Sequence, residues 1–538
     1  MSVSLKIKKI LTWTGIVLGA IVLIAAGLGI YVYTLIPKPI GEKPALQAEL
    51  FNKPTNEFPV AGKFIYKSAT ELAAMIKGKQ ATSAEIVQEH INFIKNNNYK
   101  TNAFVWLFEK DALEAAKRAD EKVVSGEPLR LLEGVPVSIK EEFAVNGKPH
   151  TWNAEMFQGV VAQRNSGVVD AMIYEGAIIL GTTNVPKMLF DVQTIGEIYP
   201  TANNPYDLTR TPGGSTGGGA ASVASGFVPI TMGGDFGGSI RIPAADCGLY
   251  GLKTTDGSTP DFGGSPGGQG DPKYHRMMVP GPLARTIDDI DLAWNAMMNH
   301  WPEQKAKMLE PKGELKDYKV AYLDEWKFGS DKMLVSKDIK DALKKFTGTL
   351  SSNNVSVAND QPADFDKMVA MHRLLTIYVA FEKVPWLFRQ FVIRDFKSAD
   401  NHRIDLSEAY DRMSDLDPAK YDDILERHDA LRDQMEAFFS KYDFLILPVK
   451  STVAIKHNPD HTPVSVDGRN VDYWDNFLYP VVFNASGHPA LTVPLGLNAE
   501  GLPIAVQIVG PLNSEKRLIA FAKLIEPLHD GYVRPKAS

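Results

Sequence analysis

The longest unbroken feature in the hydropathy pattern lies at the start of the chain, where Ile10 to Pro37 carries no charged residue. A run of that length spans a hydrocarbon core, which takes about 20 apolar residues. Trp13 stands near one end and Tyr31 and Tyr33 near the other, as interfacial aromatics do. No small-residue cleavage pattern follows Tyr33, so the run predicts an uncleaved single-pass anchor over residues 10–36 rather than a signal peptide. Lys6, Lys8 and Lys9 precede it and Lys38 and Lys43 follow, a bias that places the body of the protein on the extracytoplasmic (periplasmic) side. Gly15 and Gly19 fit a GxxxG spacing. That spacing reads either as a helix-pairing face for a homodimer or as glycine tolerated in a membrane helix.

Beyond the anchor, the periodicity changes. Pro37, Pro39 and Pro44 stiffen a linker over residues 37–60, and the globular part is expected over 61–538. Ser68-Ala-Thr-Glu71 and Thr82-Ser-Ala-Glu85 have the form of capping boxes that open helices. After the second, Ile86, Val87, His90, Ile91 and Ile94 recur on one helical stripe, which predicts a packed His90 rather than a ligand. Asn102 to Leu107 reads as a strand, Asp111 to Val124 as an Ala-rich helix, and Leu132 to Lys140 as a strand ending in a charge. A helix around Val168 to Glu175 and the apolar strand Ala177 to Leu180 follow. Strands alternating with helices predict an α/β fold with a large, mixed, mostly parallel sheet covered by helices on both faces.

Size and charge narrow the function classes. The chain has 538 residues, 44% of them hydrophobic, with a net charge of −6. The mild acidity excludes the basic stripe that nucleic-acid binding needs. The one cysteine, Cys247, cannot form an internal disulfide, and its apolar setting predicts a buried small residue. No His, Cys and carboxylate spacing suggests a metal site, and no cofactor motif is present.

The candidate chemistry is concentrated in Pro212 to Arg241, PGGSTGGGAASVASGFVPITMGGDFGGSIR. Two glycine corners, Gly213 to Gly219 and Gly233 to Ser239, each present a serine. Without Cβ atoms, such corners let backbone N–H groups converge on a bound atom. A dinucleotide-type loop fits poorly, because no following strand–helix unit with an acidic residue appears, and the Gly-Lys-Ser/Thr of a P-loop is missing. Upstream, the strand GVPVSIK ends at Lys140, 75 residues before Ser215.

These three motifs in this order resemble the amidase signature family, whose catalytic unit is a Ser–cisSer–Lys triad. The resemblance runs from about Phe64 to Leu528 and is weakest over about 301–440. It also takes in Gly248 to Lys253, Val279 to Asp289, Asn484 to Pro494 and Gly501 to Pro511. Thr216 stands where the family has a second serine, and Phe236 fills a variable position. The resemblance implies the amidase signature fold, with Ser239 as nucleophile, Ser215 as bridge and Lys140 as base. It implies Phe236, Gly237, Gly238 and Ser239 as the oxyanion hole, and Gly213, Gly214, Thr216 and Asp235 as substrate-binding residues. The lysine must be neutral to accept a proton, and only about one free lysine in 2,500 is neutral at pH 7. Glu141 and Glu142 would favour the charged form if they pointed inward, although strand alternation sends the first to the opposite side.

The same resemblance leads to a substrate reading. Lys140 to Phe143, Asn203 to Leu208, the anchor and the apolar, Arg-containing stretch Met371 to Phe396 are similar to membrane-associated fatty acid amide hydrolases. The expected substrate is therefore a small-molecule acyl amide, lipid-like in its acyl part, with 371–396 as either a cap or ordinary core. Alternatives are an amidase for small or peptide amides, and an amidotransferase A-type subunit. Gly213-Gly-Ser215-Thr-Gly217 also satisfies the G-x-S-x-G elbow of α/β-hydrolases, with His488 as partner. That reading leaves Lys140 and Ser239 unexplained. An inactive membrane-anchored binding protein is the last alternative, and the intact triad speaks against it.

Overall fold

A computed structural model describes residues 44–260, 277–328, 331–362, 365–381 and 418–536. Its centre is an eleven-stranded sheet. In chain order the strands are β1 (Phe104–Leu107), β2 (Pro136–Lys140), β3 (Ile178–Thr183), β4 (Ile230–Asp235), β5 (Tyr250–Lys253) and β6 (Val279–Ala284). Then come β7 (Lys319–Tyr322), β8 (Ser356–Asn359), β9 (Phe444–Pro448), β10 (Ala490–Leu497) and β11 (Pro503–Val509). Their spatial order is β1-β3-β2-β4-β6-β5-β10-β11-β9-β7-β8.

The pairing corrects the expectation of a mostly parallel sheet. β3, β2 and β4 run parallel, as do β9, β7 and β8. The middle, from β4 through β6, β5, β10 and β11 to β9, is antiparallel throughout. The pattern hid this because β2, β4, β6, β9 and β11 are buried at every position. A strand covered on both faces reads as a continuous apolar run whichever way its neighbours point.

The helices form where the sequence places their signals. Both capping boxes are made: Ser68 and Glu71 open α1 (Ala69–Lys77), and Thr82 and Glu85 open α2 (Ser83–Thr101). His90 on α2 is buried, with Nδ1 2.9 Å from the Phe227 carbonyl, as its stripe predicts. α3 (Glu109–Ser125) precedes β2, and α4 (Gly167–Tyr174) lies between β2 and β3 in the chain. α5 (Gly217–Ala224) leads into β4, and the short α6 (Arg241–Asp246) follows it. Two later helices matter to the site, α7 (Phe365–Phe381) and α8 (Leu478–Ala485), which pack on each other.

The expected localisation is corrected. Among the described residues no helix is long and apolar enough to cross a membrane. The longest, Pro418–Phe439, has 22 residues but carries charges along its length, including Asp422, Asp423, Glu426 and Arg427. Residues 10–36, where the anchor was expected, and 382–396 of the expected cap lie outside the described residues.

Candidate active site

β2 is a wholly buried strand, and its last residue, Lys140, is 1% exposed. Its Nζ donates to Ser215 Oγ at 2.9 Å and to the Gly234 carbonyl at 3.1 Å. Ser215 lies in the corner before α5, and the Gly214–Ser215 peptide is cis. The glycines here answer to close packing. At Gly213, where φ is +85°, a Cβ would fall 2.6 Å from Pro243 Cα, and at Gly214 it would fall 2.6 Å from the Gln193 carbonyl oxygen. The sequence therefore fixes Ser215 by giving its neighbours no side chains.

The second corner leaves the end of β4. Asp235 is 1% exposed and accepts from the N–H groups of Gly238 at 2.8 Å and Ile240 at 3.1 Å. The Arg241 guanidinium reaches both its oxygens, at 3.0 and 3.1 Å, and Asn484 Nδ2 donates at 2.8 Å. Burial alone would raise the Asp235 carboxyl, but Arg241 beside it holds it below the usual carboxylate range. Ser239 rides on this anchored loop, half-buried just ahead of α6. Its carbonyl accepts the Thr216 N–H at 3.2 Å, which ties the two serine corners together.

The two glutamates after Lys140 part company. Glu141 points away, accepting from Thr151 N at 2.6 Å and Thr151 Oγ1 at 2.9 Å, and burial pushes its carboxyl up to about 8. Glu142 turns back. A tight turn, Phe143 N–H to the Lys140 carbonyl at 3.0 Å, brings its Oε2 to 2.5 Å from Lys140 Nζ. Both side chains are buried. A Cβ on Gly234 would lie 2.3 Å from that same Oε2.

A buried lysine on a serine, with a second serine on an anchored glycine loop, is an arrangement for acyl transfer without a histidine. The sequence matches the Amidase family over residues 85–519. The chain belongs to that family. It is 30% identical over 478 residues to the A-type subunit of the glutamyl-tRNA(Gln) amidotransferase of Alkaliphilus metalliredigens, covering 83% of this chain and 93% of the relative. Its fold is like that of a 6-aminohexanoate cyclic dimer hydrolase solved with its substrate, with a TM-score of 0.71 at 22% identity, over 88% of this chain and 99% of the other. A fatty acid amide hydrolase matches with a TM-score of 0.69 at 21% identity, over 92% of each chain. The protein is thus an enzyme of the amidase type, acting on amide C–N bonds. The curated relatives are amidotransferase subunits, which further corrects the expected membrane-anchored, extracytoplasmic setting.

In this amidase the Ser239 loop is flanked by two helices, one of which begins the stretch expected as a cap or as ordinary core. His372 on α7 has Nε2 2.8 Å from the Phe236 carbonyl, and its ring lies 5.1 Å from the Phe236 ring. Burial pulls its imidazole down to about 4. A Cβ on Gly237 would meet His372 and Val481, so α7 and α8 flank the Ser239 loop. His372 sits in a helix that is apolar on most sides, where periodicity gives no signal. Asn484 was within a family-like motif, but its bond to Asp235 spans 249 residues and leaves no local trace.

Several expected roles are corrected by packing. Asp235 spends its carboxylate on the loop and on Arg241, and has none left for a substrate. Gly213, Gly214 and Thr216 are buried against protein, with Thr216 at 0% exposure. The Gly238 N–H is committed to Asp235, which argues against its expected place among the oxyanion donors. His488 holds Glu436 at 2.7 Å and Ser486 at 3.0 Å, while the Ser215 hydroxyl is bound to Lys140, so the elbow reading fails. Cys247 is buried, and burial raises its thiol well above the ordinary range.

Proposed function

We propose that the protein is a serine amidohydrolase that cleaves carboxylic amides through an acyl-enzyme on Ser239. The observation that carries this reading is the 2.9 Å bond from Lys140 Nζ to Ser215 Oγ, beside the loop that presents Ser239. Ser239 attacks the carbonyl carbon and passes its proton to Ser215, which passes its own to a neutral Lys140. The oxyanion falls to the remaining loop N–H groups, those of Phe236, Gly237 and Ser239. On collapse Ser215 protonates the leaving nitrogen and is refilled from Lys140. Water then releases the acyl group by the same relay.

A second reading is an amidotransferase A-type subunit, which would liberate an amide nitrogen for transfer. It is favoured by the 30% identity to such subunits over most of both chains. The acyl-amide preference has weaker support, since the likeness to a fatty acid amide hydrolase is one of fold at 21% identity.

The test is a panel of glutamine, short aliphatic amides, aryl amides and long-chain acyl amides, with ammonia or amine release as readout. Turnover lost in Ser239→Ala supports hydrolysis. Ammonia release from glutamine alone, at a low basal rate, selects the second reading. Turnover undiminished in Ser239→Ala contradicts both.

A further inference from the structure

Glu142 is the strongest unexplained feature of the site. It is a buried carboxylate 2.5 Å from the base of the reaction, at a position where strand alternation no longer governs direction. Space has been made for it, because Gly234 carries no side chain where a Cβ would fall 2.3 Å from Oε2. The hydrogen bonds of Lys140 Nζ go to Ser215 and to the Gly234 carbonyl, and among the described residues the one partner of Glu142 Oε2 is that same Nζ, as an ion pair. A permanent ammonium–carboxylate pair there would fix Lys140 in the form that cannot accept a proton. The site as built contradicts its own chemistry unless the pair can hold its proton differently.

We propose that Glu142 takes the proton Lys140 must shed, so that the base of this enzyme is a Lys140–Glu142 pair carrying one proton. This rests on the Ser239–Ser215–Lys140 reading above and deepens it. The pair exists as ammonium with carboxylate or as amine with carboxylic acid, and the two forms have the same proton count and net charge. From the neutral form, Ser239 Oγ bonds to the carbonyl carbon, its proton moves to Ser215, and the Ser215 proton moves to Lys140. The pair then holds two protons and a net charge of +1, which balances the −1 of the oxyanion. When the C–N bond breaks, Ser215 gives a proton to the leaving nitrogen and recovers one from Lys140. One proton has travelled from Ser239 to the amine and none has been taken from solvent. Glu142 touches no substrate and acts through Lys140.

Other titratable groups face this pair without replacing it. Glu141 is turned to Thr151, with Tyr199 bonded to the same Thr151 hydroxyl. His150 Nε2 lies on the Glu142 carbonyl rather than its carboxylate, and burial pulls it down to about 4. Asp235 is satisfied by Arg241, and His372 by the Phe236 carbonyl.

The experiment is the pH dependence of the rate at which a fluorophosphonate labels Ser239, which needs no substrate. A one-proton pair loses activity only when it takes a second proton, whereas an unassisted lysine must lose its only one. Glu142→Gln is therefore expected to move the acidic limb of the labelling rate to higher pH by about one unit or more, a tenfold loss on the limb. A limb that stays in place or moves to lower pH overturns the proposal, the latter being the signature of a carboxylate that merely holds the ammonium. Should Glu142→Gln not fold, Glu142→Asp, whose shorter carboxylate is drawn back from Nζ, is expected to shift the limb in the same direction, and an unmoved limb overturns the proposal equally. Absence of Ser239 labelling in the wild type would instead strike the underlying triad reading, so the two failures are distinct.

Discussion

Asp235 and Arg241 close a buried clamp around the loop that carries Ser239, with Arg241 Nη2 3.0 Å from Asp235 Oδ1 and Nε 3.1 Å from Oδ2. The five residues between them are Phe236, Gly237, Gly238, Ser239 and Ile240, and the same carboxylate also takes the Gly238 and Ile240 N–H groups. Ser239, the proposed nucleophile, is thus held by a buried ion pair. Such a support keeps a reacting group in place without occupying the site.

Asp235→Asn removes the charge and leaves Arg241 buried and unpaired. The expected cost is about 3–5 kcal/mol, read by urea unfolding at pH 7. The Asp235 carboxyl is held below its unfolded value, so its contribution is present above about pH 4 and is lost as pH falls through the lower folded value. The difference between variant and wild type is therefore expected to shrink below pH 4. A cost under about 1 kcal/mol at pH 7 contradicts the clamp.

Glu141 has the opposite sign. Burial raises it to about 8, so it is neutral in the folded protein while the unfolded chain ionises near 4.3. Its contribution is complete below pH 4 and is lost as pH rises towards 8. Glu141→Gln keeps an acceptor for Thr151 and removes that loss. Its melting temperature relative to wild type is expected to climb between pH 5 and pH 8, and a flat difference contradicts the buried neutral acid.

Gly234→Ala places a methyl group 2.3 Å from Glu142 Oε2 and displaces the carboxylate from Lys140. Overpacking of this kind costs about 1–3 kcal/mol. The variant is expected to label more slowly at Ser239 while circular dichroism shows an intact fold. Unchanged labelling means that the carboxylate is not held by this glycine.

Lys140→Met removes the proposed base and keeps the stem. Loss of a positioned general base is expected to slow amide turnover by roughly 10²–10⁴-fold. A loss below tenfold at every pH from 6 to 9 contradicts the assigned role.

Much of this was legible because motifs record local chemistry. Lys140, Ser215 and Ser239 stand in three short segments whose glycines and strand ends are fixed by packing, and each segment is readable alone. The capping boxes at Ser68 and Thr82 were equally local, and both are made. What escaped reading depends on contacts distant in sequence or on a change of direction. The antiparallel middle of the sheet was hidden because strands buried on both faces look alike in either pairing. Glu142 was named beside Lys140, but its inward direction rests on the turn that follows the strand end at Lys140, which the sequence does not announce. Asp235 read as a substrate contact because its partners, Arg241 and Asn484, are identified only once α6 and α8 are folded against it.

Peptide mapping after treatment with a fluorophosphonate, on the wild type and on Lys140→Met, tests the Ser239–Ser215–Lys140 relay. A single adduct on Ser239 is expected, formed at a rate that collapses in Lys140→Met. An adduct on Ser215, or one on Ser239 that forms equally fast without Lys140, contradicts it.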